Sequence, residues 1–488
     1  MNGFFGRKTV AGSHTTRTFS RLMMTSALVA AGTFVLSSPS LADNSWGHLG
    51  DTGFSTDISN PNVTNITVTT ANQKAIGIGN ANIDLNDTVN VLNSKLFVVR
   101  DNRLDPTYIL GKLNSTGKVI IIDGNGIFFG KDSVVNVGSI IATTGDLTDA
   151  QALANADTPL LFKNFGAAGV ENAGSISASG LVAFVAPTVK NSGIINANLG
   201  RVSLAAGKTT ATVDLYGDGL VELDAGSLGE TGSKFLSENS GKISGAQIQM
   251  TAAAAKDVVD SVVNMQGVLH ANSASLNQKG QIVLSAGKVS LGTSTPSGAK
   301  KIDGHTEVKA TQLELGLTVD GNVSGYAKEV TILSDAAKIN QGLSVIAKNG
   351  TVKVAAGTYD EDLVVNVEGV TVKGAKAGIS GYDATRNGLG ETIITPHSPG
   401  VVVAADNVTI DGLTIAGGNE GIEVFGFNGA VLQNNIITNS ASAGYPLNNG
   451  IYVTGSANTK ILNNYIFNTG DAGSAAEQGS GIRADKTT

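Results

Sequence analysis

Lys118-Val-Ile-Ile-Ile-Asp-Gly-Asn-Gly-Ile-Phe-Phe-Gly130, continued by Val134-Val-Asn-Val-Gly-Ser-Ile-Ile-Ala-Thr-Thr144, reads as apolar strands joined by tight turns. Val119 to Ile122 form an unbroken β-branched run, which suits a strand buried on both faces rather than one that alternates between core and solvent. Asp123-Gly-Asn-Gly126 then supplies four turn residues in succession, two of them glycines that tolerate positive φ. Ile127-Phe-Phe restarts the strand and Gly130 ends it. With one acid and one lysine, the segment is poor in chemistry and rich in architecture.

The same alternation of short strand and turn continues outward. Gly is 62 of 488 residues, Pro is only 9 and charged residues are 15%, a mixture that suits many short strands and not a disordered chain. Asn172-Ala-Gly-Ser-Ile-Ser-Ala178 repeats as Asn191-Ser-Gly-Ile-Ile-Asn-Ala197, and each copy leads into an apolar strand, Leu181 to Ala186 and Arg201 to Ala206. A period of about twenty residues with Asn/Gly corners is the pattern of a parallel β-solenoid, whose coils bury their apolar faces only by stacking. The expected fold class is therefore all-β: a right-handed parallel β-helix with short helical capping or insertion segments.

Arg7, Lys8, Arg17 and Arg21 precede a mainly apolar run from Leu22 to Leu36, and Ser40-Leu-Ala42 offers a small-residue cleavage site before Asp43. This predicts a secretory signal over residues 1–42, cut between Ala42 and Asp43. The run is too short and interrupted for a membrane-spanning helix. The absence of cysteine from an exported chain favours onward passage across a second membrane unfolded, where a cross-link would be an obstacle. A net charge of -7 leaves no basic footprint, which argues against nucleic acid and anionic membrane surfaces as partners.

The Lys118–Thr144 stretch resembles the signature of the secretion domain of two-partner-secretion exoproteins, the filamentous-haemagglutinin-type adhesins. There a strand is followed by Asn-Pro-Asn-Gly-Ile, a Phe-Gly pair and a segment ending in Ala-Ser-Thr. Here Asp123 and Gly124 stand in place of the Asn and Pro, and Thr143 in place of the Ser. The resemblance continues in order through Val182-Ala-Phe-Val-Ala-Pro187, Asn191-Ser-Gly193, Leu204-Ala-Ala-Gly207 and Val213-Asp-Leu-Tyr-Gly-Asp-Gly219, and so covers roughly residues 44 to 230. It implies a secreted adhesin or haemagglutinin-like protein. The partner implied is an outer-membrane transporter that binds the N-terminal domain in the periplasm. Host-cell or matrix receptors or glycans are the further partners. The residues implied in transporter recognition are Asp123, Gly124, Asn125, Gly126 and Ile127, and Asn93 to Leu96 correspond weakly to a second Asn-rich turn.

Beyond this domain, taken as residues 43–245, Thr251-Ala-Ala-Ala-Ala-Lys-Asp-Val-Val-Asp-Ser-Val-Val263 predicts a helix with a Thr cap, stopped by Asn264-Met-Gln-Gly267. Gly280-Gln-Ile-Val-Leu-Ser-Ala-Gly287 resumes the strands, and residues 290 to 330 read as a less regular connection, closing a segment of 246–330. A final segment, 331–488, opens with a short helix within Asp335 to Ala347 and then Gly350-Thr-Val-Lys-Val-Ala-Ala-Gly-Thr-Tyr359. That opening resembles pectin-lyase-like right-handed β-helices, with the helix over the first coil. Ile410 to Ile415, Leu432 to Ile437 and Ile461 to Ile466 align as coils. Gly421 to Val424, Gly450 to Val453 and Gly481-Ile482 align as their second strands, and a loop protrudes around Ala441 to Asn448. Asn434 and Asn463 fall in register, which predicts an amide ladder at a buried corner. The sequence stops soon after Gly481 begins another coil, with no capping unit in view, as expected of a fragment or an early-terminated product, or of a short exoprotein that caps by assembly.

β-helices host polysaccharide lyases and hydrolases as well as adhesins, and an enzyme would need acids that converge on one face. Asp406, Asp411, Glu420 and Glu423 are the hydrolase candidates. Asp411 aligns with Gln433 and Leu462, so no partner acid recurs at its site in neighbouring coils, and Asp360-Glu-Asp362, the only tight acid run, with Arg386 and Lys353 is the lyase-like set. His14, His48, His270, His305 and His397 are not at metal-ligand spacing, no glycine-rich phosphate loop precedes a helix, and no cofactor is expected. Asn62, Asn65, Asn86, Asn114 and Asn407 begin Asn-x-Ser/Thr triplets that Asn-rich turns produce by chance. The expected function is thus a secreted, non-enzymatic surface adhesin. The alternatives are a carbohydrate-active enzyme on residues 331–488 and an autotransporter passenger.

Overall fold

The computed structural model describes residues 45–50, 53–154, 158–207, 210–214, 221–223, 235–252, 261–266, 268–271, 281–292, 301–438, 448–470 and 479–487. The cleavage site at Ala42 and Asp43, the loop at 441–447 and most of the predicted helix (253–260) lie outside the described residues.

The chain winds as a right-handed parallel β-helix. One wall runs almost the whole length as a single stack of hydrogen-bonded strands. It climbs through Thr107–Ile109, Ile127–Phe129, Val170–Asn172, Thr188–Asn191, Phe235–Asn239 and Ser261–Met265. It then passes through the second halves of Gln281–Leu291, His305–Leu315 and Val323–Ile332 to the end of Ile346–Val354. Thr371–Lys373, Thr409–Asp411, Val431–Gln433 and Lys460–Leu462 complete it. The stack crosses residues 245 and 330 without a break.

A second wall contains Lys74–Gly79, Leu96–Asp101, Lys118–Ile122, Ser139–Thr143 and Leu181–Ala186, and it explains the unbroken apolar run. Its inward residues, among them Phe97, Val119, Ile121 and Phe184, join the central core. Its outward residues, among them Val98, Ile120, Ile122 and Val185, form a separate core. An extra layer outside the solenoid covers them: a short helix, Asp149–Leu153, and an antiparallel sheet of Leu160–Phe162, Ala211–Val213 and Val221–Leu223. The helix is closed by a capping box between Thr148 and Gln151. A strand buried on both faces has no solvent side to alternate with, which is why Val119 to Ile122 are all apolar.

At the N-terminal end the 3-10 turn Ser45–His48 and the antiparallel hairpin Phe54–Asn60/Val63–Val68 lie against the first coils. Trp46 is fully buried, with its ring 6.0 Å from Phe97. In the C-terminal part the expected short helix is Ile339–Leu343, followed by Ile346–Val354 and Gly357–Tyr359. Glu361 reaches back to cap that helix, accepting from the amides of Ile339 (2.7 Å) and Asn340 (3.2 Å). Two further sheets, one from Gly357–Tyr359 to Tyr465–Phe467 and one from Leu363–Val365 to Ile482–Asp485, complete these coils.

Three expectations are corrected. The segment ending at Val263 is not helical there: Thr251 and Ala252 finish the strand Lys242–Ala252, and Ser261–Met265 pairs in parallel with two neighbouring strands. Stacking on both sides fixes Ser261–Met265 as strand. Residues 301–332 form regular coils, not an irregular connection. Their strands His305–Leu315 and Val323–Ile332 alternate core and surface, with Gly304 and Gly321 stacked at the corners that lead into them. The ladder of amides also lies one residue beyond the predicted pair. Asn434 and Asn463 are in register but adopt positive φ (56° and 53°), and the Asn434 side chain donates to Asp411 Oδ1 on the preceding coil at 2.8 Å. The neighbours Asn435 and Asn464 make the rung-to-rung bond, at 3.0 Å, with further bonds to the carbonyls of Ile410 (3.1 Å) and Leu432 (2.7 Å).

Candidate functional site

The corner Asp123–Ile127 follows directly from the doubly buried strand Lys118–Ile122. Its backbone closes as a turn, the amide of Gly126 donating to the Asp123 carbonyl at 3.1 Å, while the Asn125 amide donates to Asp123 Oδ1 at 2.8 Å. Neighbouring coils clamp it on both sides. The Asp123 amide donates to the Thr143 carbonyl (3.1 Å), Ile127 to Gly169 (3.1 Å), and Thr107 to the Gly126 carbonyl (2.9 Å). The Asn125 side chain donates to the Arg103 carbonyl at 2.9 Å.

Glycine is required in this frame at two places. Gly126 sits at φ +111°, a left-handed conformation that side chains resist. Gly166 on the next coil lies so close that a Cβ there would stand 1.8 Å from the Gly124 carbonyl oxygen. Gly124 itself faces open space, with nothing within 4 Å of an added Cβ. Of the five predicted residues, then, Gly124 and Asn125 are exposed and Asp123, Gly126 and Ile127 are buried. Contact from outside can reach only the tip. The second turn, Asn93 to Leu96, is built differently: Asn93 has φ 53°, donates to the Val68 carbonyl (2.8 Å) and accepts from Gln73 (2.6 Å).

Beneath the tip lies a polar cluster that sequence reading missed. Asp123 and Thr107 are fully buried and Asp101 nearly so. Arg103 holds Asp101, with Nη2 2.8 Å from Oδ2 and its own amide 2.9 Å from Oδ1. Burial alone would push the Asp101 carboxyl up, but hydrogen bonds from Arg103 and the Ala81 amide outweigh it and hold it below the usual range. Burial pushes the Asp123 carboxyl up and the Asp101 charge adds to this, against bonds from Asn125 and Thr107. The only sequence signal was an aspartate where the resembled motif has asparagine.

Asparagines also stack along the coils. Asn172, Asn191 and Asn239 form a buried ladder with steps of 2.7 Å, and each amide also reaches the carbonyl two residues on, at 3.3 Å. The repeat noted at Asn172 and Asn191 is the sequence trace of this ladder. A half-exposed ladder, Asn65–Asn90–Asn114–Asn136, lies on another wall with steps of 2.9, 3.0 and 3.3 Å. The open groove of about 830 Å³ beside it has no titratable lining residue, so it offers neither acid nor base.

Most candidate acids of the C-terminal coils have structural roles. Asp406 accepts from the Asn428 amide (2.7 Å), and Asp411 accepts from Gln433, Asn434 and the Gly378 amide. Asp362 binds the His397 and Ser398 amides and the Ser398 hydroxyl. Lys353 pairs with Glu329 at 2.8 Å. Arg386 is buried against Glu391 at 2.8 Å and donates to the Asn434 carbonyl at 2.7 Å. Glu420 and Glu423 differ: burial raises both carboxyls, and Glu423 adds to the rise at Glu420. Among the described residues no group of three or more His, Asp or Glu side chains is placed to hold a metal ion.

Residues 354–488 match the family model "Right handed beta helix region". Among solved structures, the chain is similar to the HMW1 secretion domain from Haemophilus influenzae, at 19% identity and a TM-score of 0.40, covering 84% of this chain and 96% of that one. No curated protein matches. Among the described residues no helix is long and apolar enough to cross a membrane.

Proposed function

We propose that this chain is a secreted, adhesin-like exoprotein whose N-terminal coils are recognised by a partner transporter of the outer membrane, by way of the corner Asp123–Ile127. The observation that supports it most is the division of labour at that corner. Three of the five residues are locked into the coil, while Gly124 and Asn125 stand clear on a rigid base. A rigid turn with a small exposed tip binds a partner without the cost of ordering a loop. The ordered run of motifs from Lys118 to Gly207 supports the same reading, and receptors or glycans at the cell surface are the expected targets once the chain is outside.

Secretion into the medium with a co-expressed transporter of the two-partner type tests this. Asn125→Ala and a bulky Gly124→Arg at the open tip should cut transporter-dependent release at least tenfold, while the purified variants unfold at the wild-type midpoint. Release that is independent of the transporter, or untouched by both substitutions, would sink the proposal.

A second reading, a carbohydrate-active enzyme on residues 331–488, draws on the raised carboxyls of Glu420 and Glu423 on one strand, Glu420–Phe425. Its test is cleavage of polysaccharides by the purified protein, lost in Glu420→Gln and Glu423→Gln. Absence of cleavage across neutral and acidic glycans would discard it.

A further inference from the structure

The hydrogens around Thr107 do not add up if both neighbouring carboxylates are ionised. Thr107 Oγ1 lies 2.8 Å from Asp123 Oδ2 and 3.1 Å from Asp101 Oδ2. One hydroxyl carries one hydrogen, which can serve only one of these contacts. The other would be oxygen against oxygen, each with a lone pair forward, among fully or nearly fully buried groups. A second hydrogen must come from a carboxylic acid.

Which carboxyl carries it follows from the partners. Asp101 has a guanidinium on both oxygens and also accepts from the Ala81 amide at 3.0 Å, so it is the ionised member. Asp123 has no cation in hydrogen-bond contact: Oδ1 takes the Asn125 amide at 2.8 Å and Oδ2 meets only Thr107. We propose that Asp123 is protonated in the folded protein and donates to Thr107, which donates to Asp101, making the base of the Asp123–Ile127 corner a proton-dependent lock. The groups that face Asp123 are Asp101 at the end of Leu96–Asp101 and Arg103 in the following loop. Asp105 in that loop acts on Arg103, and Gly166, Ala168 and Gly169 of the next coil carry no charge. The lock does not depend on the export reading.

The sign of the pH effect is fixed. Asp123 is raised above the ordinary value of 3.8, so the folded state keeps a proton that the unfolded chain releases. Its contribution is whole below about pH 4, falls as pH rises through the interval up to the folded value, and is absent above it. Within the interval one linked proton changes the unfolding constant by up to about tenfold per pH unit.

Trp46 is the chain's single tryptophan, and it reports locally. Its Nε1 donates to the Ala81 carbonyl at 2.8 Å, and the Ala81 amide binds Asp101. Urea unfolding of the purified protein followed by Trp46 fluorescence, from pH 4 to pH 8, should show the midpoint falling with pH. Asp123→Asn, whose amide can make the same bonds, should flatten that fall and unfold at a higher midpoint than wild type at pH 8. A carboxylic-acid infrared band that persists above the ordinary carboxylate range and loses intensity in Asp123→Asn should accompany it. Parallel profiles for the two proteins, a missing band, or an Asp123→Asn protein that fails to fold would each overturn the proposal.

Discussion

Asn191 shows what a single side chain does at a coil corner. It accepts from Asn172 at 2.7 Å, donates to Asn239 at 2.7 Å and also reaches the Gly193 carbonyl at 3.3 Å, all in buried surroundings. Removing it strands donors and acceptors on both neighbouring coils, and each unmet buried group costs about 1–3 kcal/mol. Asn191→Ala should therefore destabilise these coils by about 2–4 kcal/mol, read as a lower urea midpoint. Asn136→Ala, on the half-exposed ladder, should cost well under half as much because water replaces the lost bonds. Equal losses would show that burial is not what gives the ladder its strength. This is also the scale at which sequence was least able to discriminate. In Gln433-Asn-Asn435 either asparagine can stack, and only the backbone decides, by turning Asn434 into the left-handed region and leaving Asn435 on the ladder. The aspartate pair escaped for a related reason, since Asp101 and Asp123 are far apart in sequence and meet only where coils stack.

The strand Lys118–Ile122 makes the case at the scale of the element. Its apolar run was legible as burial on both faces, and the structure supplies the two faces: Ile121 lies in the central core and Ile120 in the outer one. What covers the outer face was not legible. The layer comes from distant segments, Asp149–Leu153, Leu160–Phe162 and Ala211–Val213, none with a strong pattern of its own. Ile120→Ala and Ile121→Ala should each cost about 2–5 kcal/mol, as buried large-to-small changes do. In an ordinary solenoid wall the outward residue would be nearly neutral, so a loss below about 0.5 kcal/mol for Ile120→Ala would mean the outer layer is not packed as described. The predicted helix over Thr251–Val263 is strand at its two described ends, Thr251-Ala252 and Ser261–Val263. Propensity is a preference of about 0.5 kcal/mol per residue, and a strand paired along both edges overrides it.

Across the whole molecule the continuous wall from Thr107 to Leu462 makes each coil the template for the next, so stability is set by neighbours and not by one global core. The coils are not alike, however. Every member of the outer core lies between Ile76 and Val213, so the N-terminal coils bury two apolar layers. The C-terminal coils bury the central one alone, as Val364 and Phe425 show by facing solvent from their outer side. Added burial at about 25 cal/mol per Å² makes the double layer the more resistant part. Opening should therefore be sub-global, the C-terminal coils parting while the N-terminal ones stay closed. Amide hydrogen exchange measures this directly. Peptides from residues 118–143 and 181–206 should exchange at least tenfold more slowly than peptides from residues 392–425 and 431–438. Ile120→Ala should narrow that gap by speeding exchange in the first set only. Uniform protection along the chain would instead mean that the coils open as one cooperative unit, and that the outer layer seals a surface without altering the order in which the coils come apart.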